Sequence, residues 1–226
     1  MIIARTRYAL KRASDVFRKE GIIPSVKLLA QDTFRFLGHY VFRSSHFYLY
    51  EYTMKKRDEA DFLPKIDNFT VHRVSSNHQA DMLAARGVDF RECFFNSREA
   101  LDKGAIAFCI LVGGEFAHIG WVALTEEAKN TFDAIPYPVD FRNNEACTGG
   151  TLTLPKFRGK GLMKYGYFLR FQFLREKGVR VSRNAVNADN RISQRVHAKF
   201  NPRVCGELRY LRVLKWKFRK RICLFK

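Results

Sequence analysis

No stretch of the 226-residue chain is apolar for long enough to cross a bilayer, because charged residues interrupt every candidate run. Met1-Ile2-Ile3-Ala4-Arg5 has neither the apolar segment nor the small-residue cleavage site of a secretory signal, so a cytoplasmic location is expected. Internal repeats and low-complexity tracts are missing. The cysteines lack a pattern: Cys93, Cys109, Cys147, Cys205 and Cys223 form no Cys-x-x-Cys and none stands at ligand spacing from a histidine. That argues against a zinc finger or ribbon and fits reduced thiols, and no metal is expected. Cys147 is the thiol nearest the candidate site described below.

Acid is the scarce charge. The chain has 22 Asp and Glu against 41 Lys and Arg, a net charge of +19. Residues 1–57 and residues 203–226 each carry +8, which leaves +3 for everything between. The basic ends fit an anionic surface, membrane head groups before nucleic acid, since no RNA-binding motif accompanies them. Residues 1–19 read as a basic amphipathic helix, with Ala9, Leu10, Ala13, Val16 and Phe17 on one face. It could lie on an anionic bilayer or pack on the rest of the chain. Lys215-Trp216-Lys217-Phe218-Arg219-Lys220-Arg221-Ile222 mixes cations and aromatics as an interface does.

What is abundant is aromatic: 21 Phe and 9 Tyr. They crowd residues 34–52, and a second helix is expected from Ser25 towards Leu37. Residues 1–64 are expected to form a basic, aromatic-rich helical extension, and residues 65–226 a mixed α/β domain. There, Phe69–Val74 reads as a strand and Asn77–Arg86 and Ser97–Lys103 as short helices. Ala105–Val112 and Glu115–Leu124 form a hairpin across Gly113-Gly114. Residues 126–144 read as a long loop and Ala146–Leu154 as a strand. Leu162–Lys177 reads as a helix, Val179–Val186 as a strand and Leu208–Phe218 as a strand. A helix capped by Asn190 runs to Phe200 with Ile192, Val196 and Phe200 inward.

Leu152-Thr153-Leu154-Pro155-Lys156-Phe157-Arg158-Gly159-Lys160-Gly161-Leu162-Met163 carries the chemistry. A strand enters a short glycine loop that opens directly into a helix, so backbone N–H groups can meet a phosphate at the helix's positive end. No Ser or Thr follows Gly159-Lys160, which excludes a Walker loop, and the third glycine of a dinucleotide fingerprint is missing. The glycines are expected to let the backbone approach the ligand.

The segment resembles the pyrophosphate loop Arg/Gln-x-x-Gly-x-Gly/Ala of the GNAT superfamily of acetyl-CoA-dependent N-acyltransferases, with Lys156 in the first place. Asn190-Arg191-Ile192-Ser193, His197 and Asn201-Pro202 follow where that family has Asn-x-x-Ala/Ser, an aromatic and Gly-Phe, the last a departure. The resemblance covers roughly 150 residues. It implies a GNAT-type central mixed sheet with flanking helices, with acetyl-CoA as acyl donor between two splayed parallel strands. Leu152, Thr153 and Leu154 would meet the pantetheine arm. Arg158, Gly159, Lys160, Gly161 and Leu162 would hold the pyrophosphate, and Asn187, Asn190 and Ser193 would line the cofactor. His197, with an ordinary pKa of roughly 6.5, is the expected acid. Glu145 is the expected base, with Asp140 and Glu115 as alternatives. The acceptor would be a primary amine on a small molecule or glycolipid, at the inner face of a membrane. A non-catalytic module of the same fold and an aminoacyl-transferring relative are the other two readings.

Overall fold

The computed structural model describes residues 42–94, 96–213 and 216–222. The expected helices at 1–19 and 25–37 lie outside them. The described chain forms two compact units, one of residues 47–207 and a smaller one of residues 42–46 with 208–222.

The larger unit is a mixed sheet with helices on both faces. Its strands are β1 (Phe42–Thr53), β2 (Phe69–Val74), β3 (Ile106–Val112), β4 (Glu115–Ala123), β5 (Glu145–Thr153), β6 (Val181–Asn187) and β7 (Arg203–Val213). Their order is β2-β3-β4-β5-β6-β1-β7. Pairing is antiparallel from β2 to β5 and between β6 and β1, and parallel between β5 and β6. β1 and β7 each cross from one unit into the other. In the smaller unit Leu208–Val213 of β7 neighbours β8 (Trp216–Ile222).

Helices α1 (Asn77–Ala84), α2 (Ser97–Asp102) and α3 (Glu126–Phe132) cover one face. Their core contains Ala80, Leu101 and Ala128 with Trp121, Ile119 and Cys147 from the sheet. Helices α4 (Leu162–Glu176) and α5 (Arg191–Ala198) cover the other, where Leu162, Tyr167, Phe171 and Leu174 pack on Tyr52, Ile110, Val122 and Phe200. α4 lies close to the sheet because two glycines make room. A Cβ on Gly120 would stand 2.5 Å from Arg170 Cζ, and one on Gly166 2.5 Å from His118 Nε2.

Three expectations are corrected. The stretch 42–53 is a strand, and Phe47–Thr53 pairs with β6, so the larger unit begins near residue 47 and not at 65. Tyr48, Tyr50 and Tyr52 send alternate side chains to the α4 face while Leu49 faces the other core, the period of a strand. The stretch read as a long loop starts as a helix: Thr125 accepts a hydrogen bond from Ala128 N–H, and Glu126 and Glu127 complement the helix N-terminus. On α5, Ile192 points out and is 76% exposed, whereas Phe200 is buried as expected.

Candidate functional site

β5 and β6 run together for three register pairs only, Glu145 with Val181, Ala146 with Ser182 and Cys147 with Arg183. Beyond Cys147, β5 stays with β4 (Gly149 opposite Trp121, Thr153 opposite His118). β6 stays with β1 (Asn184 opposite Tyr50, Val186 opposite Tyr48). The two parallel strands therefore part. The wedge between them opens into a cleft of about 930 Å³, floored by the start of α4 and walled by α5.

The glycine loop stands at the mouth. Gly161 (φ +84°) is the N-cap of α4 in the left-handed region and offers no capping side chain, so the first-turn N–H groups are left for another partner. Gly159 (φ +77°) needs glycine for the same backbone reason, and a Cβ there would meet nothing within 4 Å. The expected role of the pair divides. Both line the cleft, but the Cβ position faces open space at Gly159 and not at Gly161. A Cβ on Gly161 would stand 3.3 Å from Pro64 Cα, where Lys65 N–H donates to Lys160 O at 2.7 Å. The second glycine lets the loop pass over its own chain.

Of the other residues named for the cofactor, Leu152, Thr153, Arg158, Leu162, Asn187, Asn190 and Ser193 line the cleft with Gly159 and Gly161. Leu154 and Lys160 do not. Leu154 donates its N–H to Ala117 O and packs towards the core, and the Lys160 side chain is exposed. Asn190 Oδ1 accepts Ser193 N–H, so this cleft residue is also a helix cap.

At the apex, where the strands part, the cleft wall holds polar groups that sequence reasoning did not single out. Asn184 is 2% exposed; its amide donates to Tyr167 Oη at 3.3 Å, and its Oδ1 has no partner among the described residues. Behind it, fully buried Arg170 stacks on the Tyr167 ring at 3.8 Å. It donates to Gly166 O and Gly149 O and reaches Thr151 Oγ1. No described carboxylate pairs with it, and burial lowers its pKa.

His197 lines the cleft wall, but the premise of its expected role fails. It is 1% exposed, with Tyr52 Oη 2.6 Å from Nδ1. Burial first, and the Arg170 charge second, push its pKa down to about 3. The ring is neutral near pH 7, so an imidazolium is not its working form.

Glu145 is corrected as well. It sits where β5 and β6 are still paired and does not border the cleft. Its Oε1 is 2.8 Å from Arg183 Nη2 and its Oε2 accepts Asp140 N–H at 2.7 Å. Arg183 also meets Glu51 at 3.1 Å, and Glu51 meets Arg203 at 2.8 Å. Its charge is spent on an ion pair with Arg183. The alternatives are committed too: Asp140 accepts from Asn143 N–H and Nδ2, and Glu115 is paired with Lys156.

The carboxylate that does stand beside the parted strand is Asp133, at the C-terminus of α3. Its Oδ2 accepts Tyr137 Oη–H at 2.6 Å and its Oδ1 accepts Ile135 N–H at 3.0 Å. The Cys147 thiol is 3.9 Å from Oδ2, in turn 3.2 Å from Tyr137 Oη. The buried Lys129 ammonium donates to Asp133 O and Ile135 O, beneath the group. Burial raises the Asp133 pKa above the usual carboxylate range. No motif marks Asp133; the only signal available was the helix start at Thr125-Glu126-Glu127, which would have given the loop an ordered end.

No group of three or more His, Cys, Asp or Glu among the described residues could hold a metal, and no helix among them is long and apolar enough to cross a membrane. No family model and no curated protein matches the chain. Solved structures with a similar chain path include a GNAT-family acetyltransferase from Novosphingobium aromaticivorans (13% identity over 74% of this chain and 63% of that one, TM-score 0.48). A tandem GNAT protein of the clavulanic acid pathway matches at 14% identity over 76% and 54%, TM-score 0.49. A GCN5-related N-acetyltransferase of Sphaerobacter thermophilus matches at 13% identity over 84% and 56%, TM-score 0.46. The chain spans less than two thirds of the length of each of these neighbours.

Proposed function

We propose that this chain is an N-acyltransferase that moves an acetyl group from acetyl-CoA to a primary amine. The observation that carries the reading is the parting of two parallel strands directly above a glycine loop and an uncapped helix N-terminus. The free edge of β5 beyond Cys147 offers backbone N–H and C=O groups to a pantetheine amide chain. N–H groups of the loop and the first turn of α4 suit a pyrophosphate. Basic side chains at the cleft, among them Arg158, Lys164, Arg195 and Lys199, suit the remaining phosphate charge. The apex by Gly149 and Asn184 is then the place for the thioester, with strand N–H groups available to a developing oxyanion. The acceptor we propose is an amine on a small molecule or glycolipid. The basic chain ends would bring the enzyme to the inner face of an anionic membrane, which sedimentation with anionic vesicles at low salt tests.

Calorimetric titration with acetyl-CoA tests the donor. Micromolar binding is expected for the wild type. Gly159→Asp should weaken it at least 100-fold, because aspartate tolerates the left-handed backbone but puts a carboxylate where the pyrophosphate would lie. No heat with the wild-type protein would sink the reading. The commitment of Glu145 to Arg183 favours a second reading, a non-catalytic module that binds coenzyme A. Tight binding with no consumption of acetyl-CoA over a broad amine panel would select it.

A further inference from the structure

Asp133 has a placement that its role as a helix terminus does not require. Its Oδ2 lies 3.7 Å from the point a Cβ on Gly149 would occupy, and Gly149 borders the cleft at the apex. Residues 149 and 150 are both glycine, so β5 is a bare backbone ribbon between this carboxylate and the space where β5 and β6 part. Gly150 (φ +53°) adopts a conformation that only glycine takes cheaply, and Phe94, Phe132 and Trp121 crowd its Cβ position. The groups facing Asp133 are the Tyr137 hydroxyl, the Cys147 thiol, the Ile135 N–H and the Lys129 ammonium. None of them forms an ion pair with its carboxylate among the described residues: Lys129 gives its protons to backbone carbonyls. A half-buried carboxylate, kept ionisable by the nearby Lys129 charge and two hydrogen bonds and not spent on a salt bridge, is costly unless it is used.

We infer that Asp133 is the general base of the reaction, accepting a proton from the acceptor ammonium on the α3 side of β5. This rests on the acyltransfer reading above. Asp133 takes one proton from R–NH3+ and becomes the neutral acid. The free amine attacks the thioester carbonyl, forming the C–N bond. As the C–S bond breaks, the thiolate takes the second proton from the nitrogen, leaving amide and coenzyme A thiol, and Asp133 returns its proton to water. Tyr137 acts as a positioning residue: its hydroxyl fixes Oδ2 and favours the ionised form.

The test compares wild type, Asp133→Asn, Asp133→Glu and Tyr137→Phe, with acetyl-CoA as donor and benzylamine as probe acceptor. Acetyl-CoA affinity by calorimetry should be unchanged in all four. Asp133→Asn should lower kcat/KM at least about 100-fold and abolish the rising limb of its pH profile. Asp133→Glu should recover part of the rate, and Tyr137→Phe should move the limb to higher pH, since a hydrogen bond that favours the carboxylate is gone. Asp133→Asn with a wild-type rate and limb would overturn the assignment. If the wild type binds acetyl-CoA but does not use benzylamine, carboxyl 13C NMR of the acetyl-CoA complex decides, with Asp133→Asn assigning the signal. Titration of Asp133 at the ordinary carboxylate value, about 3.9, would overturn the proposal, and titration well above it supports it. Absence of acetyl-CoA binding to the wild type would sink the acyltransfer reading, and the base with it.

Discussion

The paired half of β5 and β6 and the parted half are held by different chemistry. Where the strands run together, charge does the work: Glu145, Arg183, Glu51 and Arg203 form a linked set of ion pairs across β5, β6, β1 and β7. Where they part, the buried polar groups are mostly uncharged: Asn184, Tyr167, Tyr52, and two histidines kept neutral by burial, His118 and His197. A cleft that must receive a ligand cannot have its walls tied to one another by strong ion pairs, and these are concentrated where the cleft is closed. Among the described residues, Asn184 Oδ1 and His118 Nε2 on that side are left without a partner.

Acid separates the two halves most sharply. His118 and His197 are both pushed down to about 3, by burial first and by the Arg170 charge second. In the unfolded chain each titrates near its ordinary 6.5, so between the two values the unfolded state binds up to two more protons. Stability therefore rises with pH across that window and is lost as pH falls below 6.5. At pH 5 the loss relative to pH 7 is about 4 kcal/mol, from two groups over roughly 1.5 units at about 1.4 kcal/mol each per unit. Urea unfolding at the two pH values measures it. Asp133, whose carboxyl is raised, works in the opposite sense, so the Asp133→Asn background isolates the histidines. Equal stability at pH 7 and pH 5 in that background would refute the buried, neutral state of both rings.

The two glycines of the loop give the next contrast. Both lie in the left-handed region, so alanine at either costs about 1 kcal/mol in backbone strain. Only Gly161 also faces Pro64 Cα. Gly161→Ala should thus cost about 1–2 kcal/mol more than Gly159→Ala, visible as a Tm lower by about 2–8 °C. Gly159→Ala should keep most of its stability. Equal costs would mean that the segment at Pro64 yields freely.

What could be read from the sequence follows from where its signals are local. The nine elements read from Phe69 to Phe200 announce themselves by apolar period, by Gly113-Gly114 and Gly178, or by the Asn190 cap, all short-range devices. The loop of Gly159 and Gly161 was legible because its spacing is fixed by its own turn. β1 was not: a strand dense in Tyr and Phe satisfies no alternation rule when both of its faces are buried, as Tyr50, Tyr52 and Leu49 are. Asp133 was hidden for a different reason. Lys129 and Tyr137 lie within four residues of it, but Cys147 and Gly149 reach it only through the return of β5 beside α3. Glu145 had the right strand, but its side chain faces Arg183, a pairing set by the β5–β6 register and absent from linear order.

The smallest effect is expected where the charge is greatest. Glu145→Gln removes one carboxylate from the paired half, yet Arg183 keeps Glu51 at 3.1 Å and the amide oxygen can still accept Asp140 N–H. The Glu145 and Arg183 side chains are 12% and 24% exposed, so water screens part of the pair, and the cost should be about 1 kcal/mol or less. Turnover should stay within about twofold of wild type, since general-base catalysis contributes at least about 100-fold where it operates. Measured with the probe amine, a near-normal rate in Glu145→Gln beside a collapsed rate in Asp133→Asn would assign the ionic half to holding the strands together and the parted half to chemistry. A 100-fold loss in Glu145→Gln at unchanged stability would reverse that division, because a structural ion pair has no means of slowing the reaction without loosening the fold.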